Sequence, residues 1–216
     1  MALSDSLDKI IQSYFSKLTA EAFTYKGVEY LPKALRVSPG LLRGFTCPPM
    51  CGGCCPKFSL DYLPDEDHPY ELQTREVEIS GRTVTVFSDL QPENKGLKCK
   101  NLNFDDGRCG IHGRQPFSCD FELIRTFTTE SPDQPNRLST QLFGRGWAMT
   151  TVTPKKGALC TITPVDEASV EDAIRKLRRL EQWMDYFGVA SKVPQIYPWI
   201  EEQRGKPFEK MEPLFI

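Results

Sequence analysis

Two segments, one near each end of the chain, have the apolar spacing of amphipathic helices. In residues 4–22 apolar side chains recur every three or four positions, with Ser4 or Asp5 as the N-cap. In residues 166–188 the same spacing is clearer, and Gly188 is placed to end the helix. The apolar positions are Leu7, Ile10, Ile11, Tyr14, Phe15 and Leu18 in the first segment and Ile174, Leu177, Leu180, Trp183, Met184 and Phe187 in the second.

Short strands are predicted between these helices. The stretch "REVEISGRTVTVF", residues 75–87, alternates apolar and polar positions on either side of Ser80-Gly81, which indicates a β-hairpin. The stretches "GVEYLP", "LSTQLFGRGWAMTTVT" and "ALCTITP" indicate further short strands. The tail after residue 191 is rich in proline, and we predict irregular structure there.

These elements predict an α+β fold in one domain spanning residues 1–216. Residues 23–165 would form a small, loop-rich, metal-centred core with short strands, and residues 1–22 and 166–216 would flank it as helical segments. The 17 prolines and 15 glycines indicate many turns. Loops this rich in Gly and Pro lack a large apolar core, so we expect residues 47–121 to depend on the metal for order.

Charge and apolar content narrow the classes of partner and compartment. Lys and Arg number 27 against 29 Asp and Glu, for a net charge of −2, which provides no electrostatic basis for binding nucleic acid. The start of the chain has no secretory pattern, and no stretch approaches 18 apolar residues, so no membrane partner is expected. We expect a cytoplasmic protein with reduced thiols and with a protein or a small molecule as its partner.

The eight cysteines are the strongest chemical signal. Four of them fall within "CPPMCGGCC", residues 47–55. Three more, Cys99, Cys109 and Cys119, follow later in the chain at intervals of ten positions. Such spacing in a reducing compartment favours metal binding over disulfides or buried core thiols. Gly52 and Gly53 allow a tight turn that directs backbone N–H groups toward sulfur. The candidate metal ligands are Cys47, Cys51, Cys54, Cys55, Cys99, Cys109 and Cys119.

The cysteine count leaves two kinds of metal centre open. Zinc needs four N or S ligands, and a 4Fe–4S cluster also needs four thiolates. The number of cysteines, the adjacent Cys54 and Cys55 and the Gly-Gly turn favour an iron–sulfur cluster over zinc. Five basic side chains among the cysteines would offset thiolate charge, and they are Lys57, Lys98, Lys100, Arg108 and Arg114.

The cysteine pattern resembles the YkgJ-type cysteine-cluster family, whose members are described as zinc- or iron-chelating or as iron–sulfur proteins. The resemblance covers residues 47–121 and implies a metal site without implying a substrate. Three residues separate Cys47 from Cys51 where the family has two, and Gln115 is an insertion. The matching residues are Cys47, Cys51, Gly52, Cys54, Cys55, Cys99, Leu102, Cys109, Ile111, Arg114, Pro116, Cys119 and Phe121.

Several residues have more than one interpretation. Cys160 is equally well explained as a core thiol or as an eighth ligand, and His112 is a minor candidate for a ligand. The acidic loop around Asp65, Glu66, Asp67 and His68 and the basic run "RKLRR", residues 175–179, are interpreted as solvated surface.

Three hypotheses for the function follow, and whether the protein is an enzyme stays open. The first is an iron–sulfur protein with a redox or radical-type role, the second a zinc-stabilised interaction module, and the third a thiolate metal carrier. Cys47, Cys51 and Cys54 also match the CxxxCxxC spacing of radical SAM enzymes, but the chain lacks the βα repeats of their barrel. The sequence also lacks the GxSxG, GxxxxGK[ST] and HExxH motifs and a GxGxxG motif after a strand.

Overall fold

The structure, a computed structural model, describes residues 6–46, 60–67, 72–89, 101, 103, 105, 110, 111, 116, 124–128, 147–151 and 161–216. Helices and β-strands both occur in these ranges, so the fold is of the mixed α+β type.

The described helices lie toward the two ends of the chain, and all the described strands except the last lie between them. Helix α1 comprises the turns Ser6–Ile10, Ile11–Phe15 and Ser16–Leu18, α2 is Glu167–Tyr186, and α3 is Ile196–Gln203. The strands are β1 (Phe23–Tyr25), β2 (Val28–Tyr30), β3 (Leu35–Val37), β4 (Phe45–Thr46), β5 (Leu60–Tyr62), β6 (Gln73–Ile79), β7 (Arg82–Asp89), β8 (Ile124–Thr128), β9 (Trp147–Thr151), β10 (Thr161–Ile162) and β11 (Leu214–Phe215). Short 3₁₀ turns occur at Pro39–Leu42, Val193–Gln195 and Phe208–Lys210.

The described strands form three sheets. The largest is antiparallel with the order β2-β1-β6-β7-β5. A second sheet has the order β11-β3-β9-β8, in which β3 and β9 are parallel. The third is the two-stranded antiparallel pair of β4 and β10, which lies beside the cysteine segments in the sequence.

The predicted hairpin is confirmed as β6 and β7. Its turn residues Ser80 and Gly81 have φ angles of 48° and 72°, the left-handed values that a type I′ turn requires. Val77 and Val84 face each other across the strands and are both buried. The alternating apolar positions therefore direct one face of this hairpin toward the core.

The main core lies where α1 and α2 pack against the largest sheet. All the apolar positions predicted for the two helices are buried. Phe15 of α1 meets Phe187 after α2 edge to face, with ring centroids 5.6 Å apart. Apolar side chains of the sheet, such as Ile79 and Val86, belong to the same cluster. The periodicity of the two helices thus predicts the faces they bury.

Both ends of α2 are fixed by local hydrogen bonds. Asp166 at the N-cap and Ser169 form a reciprocal capping box, with 2.8 Å from the Ser169 N–H to Asp166 Oδ1. At the other end the Val189 N–H donates to the Met184 carbonyl over 2.8 Å, and Gly188 has a φ of 69°. This is a Schellman motif, so the predicted helix end at Gly188 is confirmed.

Two sequence predictions for the ends of the chain are corrected. Helix α1 stops at Leu18 rather than at residue 22, and its middle turn is π-helical. The tail after residue 191 contains α3, where irregular structure was predicted. Pro198 sits in the first turn of α3, where a backbone N–H has no intrahelical acceptor, so this proline does not break the helix. Trp199 secures the tail through its indole N–H, which donates to the Glu212 carbonyl over 2.8 Å.

Candidate functional site

All eight cysteines lie outside the described residues, as do His68, His112 and Arg114. The structure does describe chain that adjoins the cysteine segments in four places. These places are Thr46, Leu60, the Asn101/Gly110 pair and Thr161. Each of these places lies one to five residues from a cysteine in the sequence.

The start of the first cysteine segment is held by β4. Thr46, the residue before Cys47, pairs with Thr161 of β10, and Phe45 pairs with Ile162. The Thr163 N–H donates to the Gly44 carbonyl over 2.9 Å, which adds a hydrogen bond at the start of β4. The chain therefore enters the cysteine segment from a hydrogen-bonded strand.

Helix α2 fixes the chain before β4. The hydroxyl of Ser169, already part of the capping box, donates to the Leu42 carbonyl over 2.8 Å. Gly44 is packed so closely that a Cβ there would overlap Thr163 Oγ1 and lie 3.3 Å from Ser169 Cβ. The capping box at the start of α2 and the absence of a side chain at Gly44 together set the position of β4.

Residues that follow Cys55 and Cys109 in the sequence share a small apolar cluster. Leu60 and Tyr62 of β5 are buried with Ile111, and Leu72 and Phe87 pack against them. Leu60 follows Cys55 by five residues, and Ile111 follows Cys109 by two. The apolar cluster therefore places the strand that follows segment 47–55 beside a residue of segment 99–119.

A backbone hydrogen bond closes the loop between Asn101 and Gly110. The Gly110 N–H donates to the Asn101 carbonyl over 2.7 Å. Within this loop the Asn103 side chain accepts from the Asp105 N–H over 2.9 Å, an arrangement typical of an Asx turn. Cys109 directly precedes Gly110, and Cys99 lies two residues before Asn101. The hydrogen bond therefore brings Gly110, the residue after Cys109, close to Asn101, two residues after Cys99.

Asp61 is a buried charged residue beside the cysteine segments that the sequence analysis did not single out. It lies on β5 and is fully buried, and its Oδ1 accepts a hydrogen bond of 2.5 Å from the Ser88 hydroxyl. The only sequence signal is an aspartate between Leu60 and Tyr62 in an apolar stretch. Since a buried carboxylate is costly without donors, Asp61 is a structural or electrostatic element of this region rather than a surface charge.

Within the residues that the structure describes, no group of three or more His, Cys, Asp or Glu side chains is placed to hold a metal ion. The basic residues expected to offset thiolate charge, including Lys57 and Arg108, also lie outside them. The predicted ligands and cofactor therefore stay predictions. No helix in the described ranges combines the length and apolar character needed to cross a bilayer.

The sequence and structure were compared with the models of known protein families, with curated proteins and with solved structures, and none of them matches this chain. The resemblance of the cysteine pattern to the YkgJ-type family accordingly stays a prediction.

Proposed function

We propose that this protein binds an iron–sulfur cluster of the 4Fe–4S type through cysteines of its separated segments, 47–55 and 99–119. The donor set fits that group, because thiolates are the usual ligands of iron–sulfur clusters and four per cluster are needed. When bound, such a cluster supplies one-electron redox or radical chemistry. The role of the chain is to bring enough thiolates together and to shield the cluster from water.

The observation that carries the proposal is the burial of Ile111 with Leu60 and Tyr62. A centre that both segments share requires their cysteines to converge. The apolar cluster holds the chain two residues from Cys109 beside the chain five residues from Cys55. Pro116, three residues before Cys119, is also buried, which supports packing of segment 99–119 against the rest of the chain at a second position besides Ile111.

The described scaffold supports a site that is partly organised before the metal binds. Strand β4 is held by β10 and α2, and β5 is held by β7 in the largest sheet. The flanking strands therefore have hydrogen-bonded partners of their own. Metal binding would then order mainly the loops that carry the thiolates, at a smaller cost in conformational entropy than folding a free peptide.

Anaerobic purification of the full chain followed by iron, sulfide and zinc analysis tests the proposal. We expect iron and acid-labile sulfide in equal amounts, a brown colour that oxygen bleaches, and a paramagnetic resonance signal after reduction. Protein that contains neither iron nor zinc would contradict metal binding. Stoichiometric zinc without iron would contradict the cluster and favour the second candidate.

The second candidate is a zinc-stabilised interaction module, and exposed apolar residues favour it. Val28 of β2 and Leu31 directly after it are 51% and 54% exposed, at the end of the strand order in the largest described sheet. Exposed apolar residues on an edge strand are typical of surfaces that bind other proteins. Val28→Lys and Leu31→Lys would weaken such binding and leave metal content unchanged.

A further inference from the structure

A cavity of about 400 Å³ lies between the chain just before β4, the connection from β10 to α2 and the turn that follows α3. Its lining is formed by Arg43, residues 163–165 and residues 206–208. Sites for small molecules have volumes of about 300–1,000 Å³, so a small organic ligand fits here.

Backbone hydrogen bonds fix the walls of this cavity. The Thr163 N–H donates to the Gly44 carbonyl over 2.9 Å, and the Lys206 N–H donates to the Gln203 carbonyl over 3.0 Å. The Gln203 side chain is buried, and its Oε1 accepts from the Glu212 N–H over 3.1 Å. The cavity therefore belongs to the folded frame, and a ligand would find it already formed.

Arg43 is held in place by an aromatic ring. Its Cζ lies 4.0 Å from the centroid of the Phe208 ring, a cation–π contact. A guanidinium that rests on a ring keeps N–H groups with which it can bind a planar anion in a bidentate manner. None of the carboxylates that the structure describes forms an ion pair with Arg43.

Lys206 adds a second positive charge to the lining. Its Nζ lies 3.3 Å from Glu202 Oε1, and the two side chains are 37% and 69% exposed. Exposed pairs of this kind contribute little, so an anion can compete for the ammonium group. Among the described residues, no acidic side chain lines the cavity, and its charge is therefore complementary to an anion.

We propose that this cavity binds a small organic anion. Arg43 and Lys206 hold its carboxylate or phosphate group, and Pro164, Val165 and Pro207 contact its apolar body. This binding site goes beyond the proposed function and does not depend on a metal, because its charged groups are two cationic side chains.

Titration of the full chain with benzoate and with phenyl phosphate, followed by isothermal titration calorimetry, tests the site. We expect at least one of them to bind one to one with a Kd of about 1 mM or tighter, and the tighter probe identifies the anionic group. Inorganic phosphate lacks the apolar body and benzyl alcohol lacks the charge, so both should bind at least about tenfold more weakly. No saturable binding of either aromatic anion up to about 10 mM would overturn the proposal, as would equal affinity for either control.

Charge variants locate the bound anion. We expect Arg43→Met to weaken binding at least about tenfold and Arg43→Lys to recover only part of the loss, because an ammonium lacks the planar fork. Lys206→Met should weaken binding about threefold or more. Lys210→Met is the matched control, since it removes an exposed cation from the same turn but outside the lining. Wild-type affinity in both Arg43→Met and Lys206→Met, or an equal loss in Lys210→Met, would overturn the assignment.

Phe208→Leu tests the positioning of Arg43 without any change of charge. Loss of the ring frees the guanidinium to sample other rotamers, so we expect binding to weaken about threefold to tenfold. An unchanged affinity would contradict this role of the ring. Metal analysis of the same samples reports on the proposed function separately, so that a protein without metal that still binds the anion would contradict only the metal centre.

Discussion

Arg179 of α2 forms an ion pair with Glu66 in the turn that follows β5. The other carboxylate oxygen of Glu66 accepts from the Leu63 N–H over 2.8 Å, so this side chain also closes its own turn. The Arg179 and Glu66 side chains are only 21% and 14% exposed. The ion pair therefore links α2 to the turn after β5, the strand that follows segment 47–55.

Removing this pair should destabilise the fold. We expect Arg179→Ala to lower the free energy of unfolding by about 1–3 kcal/mol, because it leaves a largely buried carboxylate without its guanidinium. Urea denaturation measures the loss. Arg175→Ala is the matched control on the same helix, because the Arg175 side chain is 50% exposed and pairs with Asp172 at the surface. Its expected cost is about 0.5 kcal/mol or less, and equal losses in the two variants would contradict the role given to Arg179.

This ion pair shows why some contacts could not be predicted from the sequence. Both the acidic loop and "RKLRR" were interpreted as solvated surface, yet Arg179 contacts Glu66 across 113 positions of the chain, and Lys176 is 6% exposed beside Asp172. Apolar periodicity predicts which helix face is buried but does not report which charged residue at the margin of that face meets a distant carboxylate.

The local elements were predictable where a short-range signal decides the structure. The spacing in α1 and α2, the Ser80-Gly81 turn and the end of α2 at Gly188 all follow from interactions within a few residues. Helix α3 was missed because its stability comes from tertiary packing of residues such as Trp199 and Ile200, which outweighs the proline signal. For the site, spacing predicts which thiols share a loop, but the pairing of β4 with β10 joins segments more than 100 residues apart.

Asp61 should make a measurable contribution to stability through Ser88. The two residues are cross-strand partners in β5 and β7, and both are buried. We expect Asp61→Asn and Ser88→Ala each to cost about 1–3 kcal/mol, because each change weakens or removes a buried side-chain hydrogen bond. A double-mutant cycle in urea measures the coupling, and the double variant should lose less than the sum of the single variants. Strictly additive losses would indicate that this bond carries no coupling energy.

Lys17 should make stability rise with pH above neutrality. Burial, with a smaller effect from Lys33, lowers the pKa of the Lys17 ammonium to about 8 from its ordinary value of 10.5. Between these two values the unfolded chain binds more protons than the folded chain, so the free energy of unfolding increases with pH through this window. Below pH 8 the folded state carries the full cost of the buried charge, at most about 3 kcal/mol.

The variant Lys17→Met isolates this contribution, since it keeps an unbranched side chain and removes the amine. We expect it to be more stable than the wild type at pH 7 by about 1–3 kcal/mol and to lose the rise in stability between pH 8 and 10. Unfolding curves at pH 7, 8, 9 and 10 provide the comparison. Parallel pH profiles for the two proteins would show that Lys17 does not cause the dependence.

Cys109 and Cys119 are the cysteines whose replacement we expect to remove metal most clearly. Each lies close in sequence to a buried residue, Ile111 or Pro116, that holds its segment on the scaffold. Cys109→Ser and Cys119→Ser should each weaken metal binding by at least about tenfold, because an inner ligand is lost. Metal analysis after anaerobic purification measures the effect, and Ser118→Ala is the control next to Cys119. Full metal content in either serine variant would remove that cysteine from the ligand set.

Gly44 connects the stability of the scaffold with the geometry of the proposed centre. A Cβ at this position would overlap Thr163 Oγ1, so Gly44→Ala must move either the Thr163 side chain or β4. We expect a loss of about 1–3 kcal/mol in the free energy of unfolding. Since β4 leads directly into Cys47, a proposed ligand, metal retention should fall as well. Thr163→Ala removes the overlapping oxygen, so the double variant Gly44→Ala, Thr163→Ala should recover most of both losses.

Thr163→Ala alone controls for the missing hydroxyl. A Gly44→Ala protein with wild-type stability, or a double variant no better than Gly44→Ala, would contradict this account of the close contact.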